Sequence, residues 1–183
     1  MLHRAMCDRR LLRELNRQLV PLLTGSRLWL SDAAIQHGDT TVLLHCLAVA
    51  YFSLKLARLL HLSCDRRSLI RGALLHDYFL YDWHVPDKSH RLHGFHHASC
   101  ALKNARMDVA LTPKEEDIIA HHMFPLTPAP PRCREALLVC MVDKGCGLYE
   151  TLDRNTYPDL RRVLRDHGRR QSRKQHISKP SAS

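Results

Sequence analysis

Hydrophobic residues recur at helical spacing along most of this chain, and no segment alternates polar and apolar residues as a half-buried strand would. Residues 7–23 place leucines three or four positions apart with arginines between them, which predicts an amphipathic helix. Residues 40–60 are apolar almost all round, which predicts a helix buried on most of its sides. Further helices are predicted over residues 65–80, 96–108 and 132–145. The expected fold class is therefore all-α.

Capping residues mark where several of these helices begin. Asp65 is the expected N-cap of the helix that follows it. The sequence Thr-Pro-Lys-Glu at residues 112–115 is a capping box with proline at the first helical position, and it opens a helix that ends before Pro125. A short helix is also predicted to begin at Ser31 and to end at Gly38.

The length of 183 residues suits one helical domain with a buried core and is too short for two of ordinary size. A composition of 45% hydrophobic and 25% charged residues is typical of a soluble globular protein. We expect an N-terminal helical extension at residues 1–39, a helical core at residues 40–153, and a basic C-terminal helix and tail at residues 154–183.

Seven cysteines are dispersed along the chain without a Cys-x-x-Cys pair, and several lie in apolar runs. This distribution predicts buried, reduced thiols in a cytoplasmic protein, and neither zinc ligands nor a disulfide framework. The longest apolar stretch is interrupted by His45 and falls short of a membrane-spanning helix. The arginines near the N-terminus are followed by no apolar block, so we expect neither a membrane segment nor a signal peptide.

The formal net charge of +10 is concentrated towards the C-terminal end of the chain. Residues 154–183 carry nine basic and two acidic side chains, whereas the rest of the chain is only mildly basic. A tail of this kind is usually solvated, and we expect it to aid solubility. Nucleic acid or another polyanion is the less favoured partner.

Histidines and aspartates interrupt three of the apolar segments. His76 and Asp77 do so together, His45 lies among apolar neighbours, and Asp143 follows the apolar run at residues 137–142. A buried ionised carboxylate costs several kcal/mol unless it is paired or bound to metal. Each residue alone could be a satisfied core histidine or half of a buried salt bridge. Together they bring imidazole and carboxylate ligands from three helices, a set that suits Fe, Mn, Zn, Ni or Co.

This arrangement resembles the HD superfamily of phosphohydrolases, whose signature is a histidine, a later His-Asp pair on one helix, and a final aspartate. In this sequence the matching residues are His45, the pair His76 and Asp77, and Asp143, in the same order. The likeness covers roughly residues 40–150. It implies a single HD-type helical bundle in which residues 40–153 form the metal-binding core.

Two histidine doublets, His96-His97 and His121-His122, lie between the His-Asp pair and the last aspartate. They resemble a branch of the superfamily in which added histidines hold a second metal, bridged by the aspartate of the pair. The resemblance therefore implies that His97 and His122 hold a second ion bridged by Asp77. The other member of each doublet is the weaker candidate, because adjacent helical positions point about 100° apart.

The resemblance implies a metal-dependent phosphohydrolase, either a phosphomonoesterase or a phosphodiesterase, that acts on a small phosphorylated or nucleotide substrate. One or two divalent transition metals would activate the attacking water. The implied metal ligands are His45, His76, Asp77, His97, His122 and Asp143. No Gly-Tyr-Pro follows a His-His pair, so hydrolysis of cyclic dinucleotides is not expected.

Further residues are candidates for catalysis and substrate binding. Asp77 is expected to be essential to catalysis, and Asp82 is a candidate proton shuttle or hydrogen-bond partner of a ligand histidine. Lys103 and Lys144 are the candidates to bind the substrate phosphate. Weaker candidates for phosphate or metal binding lie in the histidine-rich loop before residue 94: His84, Lys88, Arg91 and His93.

Two other classes of function stay open. The same six ligands resemble the di-iron set of the HD-fold oxygenases, which cleave C–C or C–P bonds with O₂. The third class is a non-catalytic regulator, in which metal only staples the helices together and the basic tail binds a polyanion.

Overall fold

A computed structural model describes residues 7–82, 93–153 and 156–177. Within these residues the chain forms seven α-helices: α1 (Arg9–Gly25), α2 (Val42–Leu59), α3 (Arg66–Leu75), α4 (His93–Asp108), α5 (Pro113–His121), α6 (Arg134–Leu152) and α7 (Pro158–Ile177). A 3-10 helix at Leu28–Asp32 follows α1, and a short antiparallel ladder pairs β1 (Ile35–His37) with β2 (Thr40–Thr41). The predicted all-α fold class is confirmed.

The helix α2 lies at the centre of the bundle and packs against α1, α3, α6 and α7. By length and composition α2 could cross a membrane, which the sequence prediction had not allowed for, but 72% of its 18 residues are buried inside the fold. It therefore serves as a core helix. Each fully buried leucine, such as Leu47 or Leu54, contributes about 1.5–3 kcal/mol by leaving water.

The amphipathic character of α1 decides which of its faces packs on the core. Leu11, Leu15 and Leu19 are buried, whereas Arg13 and Arg17 are exposed. The predicted amphipathic helix is confirmed, and its arginines face solvent.

Two predicted helix starts are confirmed by their hydrogen bonds. Asp65 caps α3, because its carboxylate accepts from the backbone N–H of Ser68 at 3.1 Å. Thr112 and Glu115 form the predicted capping box of α5, with bonds of 3.2 and 2.9 Å between the side chain of each and the backbone N–H of the other. These caps fix where α3 and α5 begin.

The short helix predicted between Ser31 and Gly38 is wrong, and so is the expectation of no strands. The segment forms the end of the 3-10 helix and then the β1–β2 hairpin. Gly38 turns the hairpin with a positive φ of 57°, and a Cβ there would lie 2.7 Å from the carbonyl oxygen of Glu150. Strands of three and two residues are too short to show an alternating pattern in the sequence.

Two helix ends also differ from the sequence prediction. The helix α3 ends at Leu75, so His76 and Asp77 lie in the turn that follows it and not in mid-helix. The helix α6 continues to Leu152, two turns beyond the predicted end near residue 145. This extension brings Glu150 into the interior.

A close contact sets the distance between α3 and α5. A Cβ on Gly72 would lie 2.4 Å from Cδ1 of Ile118, so only glycine lets the two helices approach this closely. The contact lies one helical turn before His76 and one turn before His122, and it therefore fixes the separation of these two side chains.

Candidate metal centre

Six side chains with nitrogen or oxygen ligand atoms meet near the N-terminal end of α2. In chain order they are His45 on α2, His76 and Asp77 after α3, His97 on α4, His122 at the end of α5, and Asp143 on α6. All are buried except Asp143, whose side chain is 14% exposed at the edge of a cleft. The fold thus brings together all six ligands that the resemblance implied.

The first group of ligand atoms belongs to His45, His76 and Asp143, and these atoms lie within 4.8 Å of one another. The Nε2 atom of His45 lies 3.0 Å from Asp143 Oδ1, and that of His76 lies 3.4 Å from the same oxygen. Asp77 Oδ2 is next to this group, 3.4 Å from His76 Nε2.

The second group consists of His76, Asp77 and His122, again within 4.8 Å of one another. His97 lies beside it, because its Nε2 atom is 2.8 Å from Nε2 of His122. Asp77 Oδ1 is 3.3 Å from His97 Nε2 and 3.4 Å from His122 Nε2. The two oxygens of Asp77 therefore face different groups.

The opposite ring nitrogens of three histidines are held by acceptors. His76 Nδ1 donates to the carbonyl of Ala73 at 2.7 Å, and His122 Nδ1 donates to that of Ile119 at 2.8 Å. His45 Nδ1 donates to the carboxylate of Glu150 at 2.8 Å. When these rings are neutral and Nδ1 carries the proton, Nε2 presents its lone pair to the cluster, as metal-binding histidines do.

Unpaired polar atoms test whether a cation fits this cluster. His76 Nε2 and Asp77 Oδ1 are buried and have no hydrogen-bond partner among the described residues. Such atoms are rare in folded proteins, because an unsatisfied buried polar group costs about 1–3 kcal/mol. A divalent ion would satisfy both atoms, and a set of imidazoles and carboxylates suits the borderline transition metals. The residues present therefore fit a metal centre.

The charges of the cluster also favour a cation. Burial raises the pKa of Asp143, but the hydrogen bond to His45 and the charge of the nearby His76 ring outweigh burial, and the net pKa is lowered. The pKa of Asp77 is likewise held well below its usual range, against burial, by His76 and His122. Burial lowers the pKa of His122, which favours the neutral ring. Burial also acts to lower the pKa values of His45 and His76, but the carboxylates around them outweigh it and raise both values well above the usual range, so a bound ion would take the place of their protons. Ionised carboxylates and neutral imidazole are the forms that bind metal.

Within each histidine doublet, one ring faces the cluster and the other does not. His97 is buried there and His96 is exposed. His122 is buried there, whereas His121 points to the other side of α5 and bonds Asp117 at 2.7 Å. This is the division that the angle between adjacent helical positions predicts.

The other candidate residues for catalysis and substrate binding do not all lie at the cluster. Lys144 lines the cleft, and its Nζ donates to the carbonyls of His122 at 2.7 Å and Cys140 at 3.2 Å. Asp82 and Lys103 are exposed, and neither is among the described residues that line the cleft. Their proposed roles stay predictions. The candidates in the loop, His84, Lys88, Arg91 and the side chain of His93, lie outside the described residues.

Three residues at the site were missed by the sequence prediction. Gln36 Nε2 donates to Asp77 Oδ2 at 2.7 Å, and the ring of His37 lies edge-on to His45 with centroids 5.9 Å apart. Both lie in the hairpin that the prediction took for a helix. Glu150 lies beyond the predicted end of α6, although a longer helix would have placed it on the same face as Asp143, seven residues earlier.

A cleft of about 690 Å³ opens from the cluster to solvent. Its floor includes Asp77, His97 and His122, and its sides come from the hairpin, from α6 and from the segment after α5. The cluster is therefore buried but reachable, as a catalytic metal site requires.

Comparison with known families identifies one match. The family model described as HD domain matches residues 42–145, a span that contains all six ligands but neither Gln36 nor Glu150. No curated protein and no solved structure matches the chain.

Proposed function

Since this chain belongs to the HD domain family, which consists largely of metal-dependent phosphohydrolases, we propose that it is a phosphomonoesterase or phosphodiesterase acting on a small phosphorylated substrate. The observation that carries the proposal is the convergence of six ligands on two adjoining groups that share Asp77. A site with unpaired ligand atoms at the base of an open cleft suits an ion that must also contact a substrate.

The ligands divide between two proposed ions. His45, His76 and Asp143 would hold one, His97 and His122 the other, and Asp77 would bridge them through its two oxygens. When bound, such ions lower the pKa of a water molecule and stabilise the charge on a phosphoryl group. Fe, Mn, Zn, Ni and Co are all compatible with this ligand set.

The surrounding residues orient the ligands and receive the substrate. Glu150 accepts a hydrogen bond from Nδ1 of His45, and Gln36 fixes the rotation of the Asp77 carboxylate. Lys144 brings a positive charge to the cleft, and we propose that it attracts the phosphate. A backbone carbonyl already accepts a hydrogen bond from the Lys144 ammonium and holds it in the cleft. Little reorganisation of this side chain is therefore needed when the phosphate binds.

Metal analysis followed by an activity screen tests this function. The purified protein should contain a transition metal, and metal-loaded protein should hydrolyse p-nitrophenyl phosphate or its bis ester. Asp77→Ala should lose the metal and nearly all turnover, whereas His96→Ala, in the exposed member of a doublet, should retain both. Full activity in a folded Asp77→Ala protein would sink the proposal. Iron-dependent O₂ uptake without hydrolysis would favour the oxygenase class.

A further inference from the structure

The cleft above the metal ligands has an apolar rim, formed by Met123, Pro125 and Leu126 after α5 and by Leu148 on α6. Leu126 is 46% exposed and Leu148 is 64% exposed. Single exposed leucines are common on protein surfaces, but these four side chains line the same cavity as the ligands. The rim begins directly after the proposed ligand His122 in the sequence and lines the same cavity.

The cleft is also larger than a phosphate group needs. Its volume of about 690 Å³ falls in the range of clefts that hold whole organic ligands of drug size, about 300–1,000 Å³. Two glycines let the walls of the cleft approach each other closely. A Cβ on Gly94 would lie 3.1 Å from Leu126, and a Cβ on Gly147 would lie 3.3 Å from the ring of His37. The space beside the ligands thus accommodates the organic part of a substrate.

Resting on the proposed phosphohydrolase function, we infer that the substrate is a phosphoester whose organic group is apolar, of the alkyl or aryl phosphate class. The phosphate would bind at the ligands and Lys144, and the organic group would cover the apolar rim. Hydrolysis forms a new P–O bond from water and breaks the ester P–O bond. The departing oxygen takes up a proton, so the products are inorganic phosphate and an alcohol.

A homologous series of substrates tests this inference. Ethyl, butyl and hexyl phosphate release alcohols of nearly equal reactivity, so differences in kcat/KM report contact with the rim. We expect kcat/KM to rise by up to about fourfold for each methylene that the cleft buries. Glycerol 3-phosphate, a polar counterpart of the shorter esters, should be a poor substrate. Naphthyl phosphate and a nucleoside monophosphate distinguish an aliphatic or aryl group from a nucleobase.

Matched variants test whether the apolar rim causes the dependence of kcat/KM on chain length. Leu148→Gln and Leu126→Gln keep the side-chain size but make the rim polar, and each should flatten the dependence on chain length. Leu137→Gln is the control, because Leu137 is 50% exposed on the same helix as Leu148 but is not among the cleft residues. A chain-length dependence that survives both rim substitutions would overturn the assignment to the rim.

Binding of non-hydrolysable analogues separates this inference from the phosphohydrolase proposal. Calorimetry should show that metal-loaded protein binds hexylphosphonate much more tightly than methylphosphonate, and that Leu148→Gln reduces the difference. Equal affinities would overturn the apolar substrate class, whatever the activity. Tighter hexyl binding without hydrolysis of any ester would support the apolar site and refute the reaction.

Discussion

Both carboxylate oxygens of Glu150 lie within hydrogen-bond distance of Nδ1 of His45, at 3.0 and 2.8 Å. Glu150 is buried and belongs to the last turn of α6, outside the span that matches the HD domain. The pair fixes both the tautomer and the direction of the His45 ring. Glu150 is thus a positioning residue for a proposed ligand on another helix.

Replacing Glu150 should weaken metal binding without removing any ligand. We expect Glu150→Gln to lower metal affinity about 10–100-fold, because the ring loses a charged acceptor that orients it. Competition with a chromophoric chelator measures the change. Asp153→Asn, at the exposed end of the same helix, is the control and should leave affinity unaltered. Equal affinity in Glu150→Gln and wild type would show that the pair has only a structural role.

Substitution of His97 or His122 should show whether the protein binds one metal ion or two. Either change to alanine should lower the metal content from about two ions per chain towards one, because the group around His45 and Asp143 stays intact. Turnover should fall by orders of magnitude, since one ion cannot clamp both attacking and leaving oxygens. Mass spectrometry of native protein counts the ions. Wild-type protein with one ion, and variants at full rate, would contradict the two-metal assignment.

Gly72→Ala should destabilise the fold, because its Cβ would lie 2.4 Å from the side chain of Ile118. Overpacking of this kind costs about 1–3 kcal/mol. Urea unfolding measures the loss. Ile118→Ala removes a buried side chain and is itself destabilising, but in a double-mutant cycle the losses from the two substitutions should sum to more than the loss of the double variant, because the shorter side chain relieves the clash. Additive losses would mean that the strain lies elsewhere. Because this contact spaces His76 from His122, the single variant should also bind metal more weakly.

Low pH should weaken the ion pair that joins Asp108 at the end of α4 to Arg27 at the start of the 3-10 helix. Hydrogen bonds from Arg27 hold the pKa of Asp108 at about 2, below its ordinary value of 3.8. A lowered folded-state pKa stabilises the protein above the unfolded value, and this stability is lost as the pH falls from about 4 to 2. Wild type should therefore lose its advantage over Asp108→Asn in that window, as followed by urea unfolding. Asp166→Asn, at an exposed position on α7, is the control for the loss of one surface carboxylate.

Removal of residues 169–183 should leave folding and catalysis intact. Among the described side chains of α7, the buried Leu160 contacts the bundle, and His167 bonds Asn16 at 3.0 Å. We expect only the affinity for heparin or nucleic acid to fall, with a shallower salt dependence. A chain ending at Asp153 is the contrast, because it lacks Leu160 and should melt at lower temperature. A large loss of melting temperature in the shorter truncation would refute this prediction.

The sequence predicted the parts of the molecule that depend on local pattern. Helical spacing of leucines and the caps at Asp65 and Thr112 predicted α1, α3 and α5, because these signals lie within a few residues of each other. The six proposed ligands were identified for other reasons. Polar residues in apolar segments need a partner, which drew attention to His45, His76-Asp77 and Asp143, and the resemblance to the HD superfamily added His97 and His122. Within each doublet the resemblance implied His97 and His122, and helix geometry predicted that the two adjacent rings would not both face the cluster.

The hairpin and the end of α6 could not be predicted in this way. Gln36 contacts Asp77 across 41 positions of sequence, and Glu150 contacts His45 across 105. Neither contact leaves a local signal, since each depends on how distant elements pack. The polar character of Gln36 and Glu150 was visible, but many polar residues face solvent, so only the packed structure distinguishes them.

The close approach of Gly38 to the Glu150 carbonyl limits how far this protein can be truncated. The hairpin and the far end of α6 touch each other, and together they enclose the proposed ligands. Both lie outside the residues that match the HD domain. A fragment trimmed to residues 42–145 would retain every ligand and lose both side chains that steer them. Such a fragment should bind ions loosely and exchange them quickly, so miniaturised versions must keep residues 36–150 as one unit.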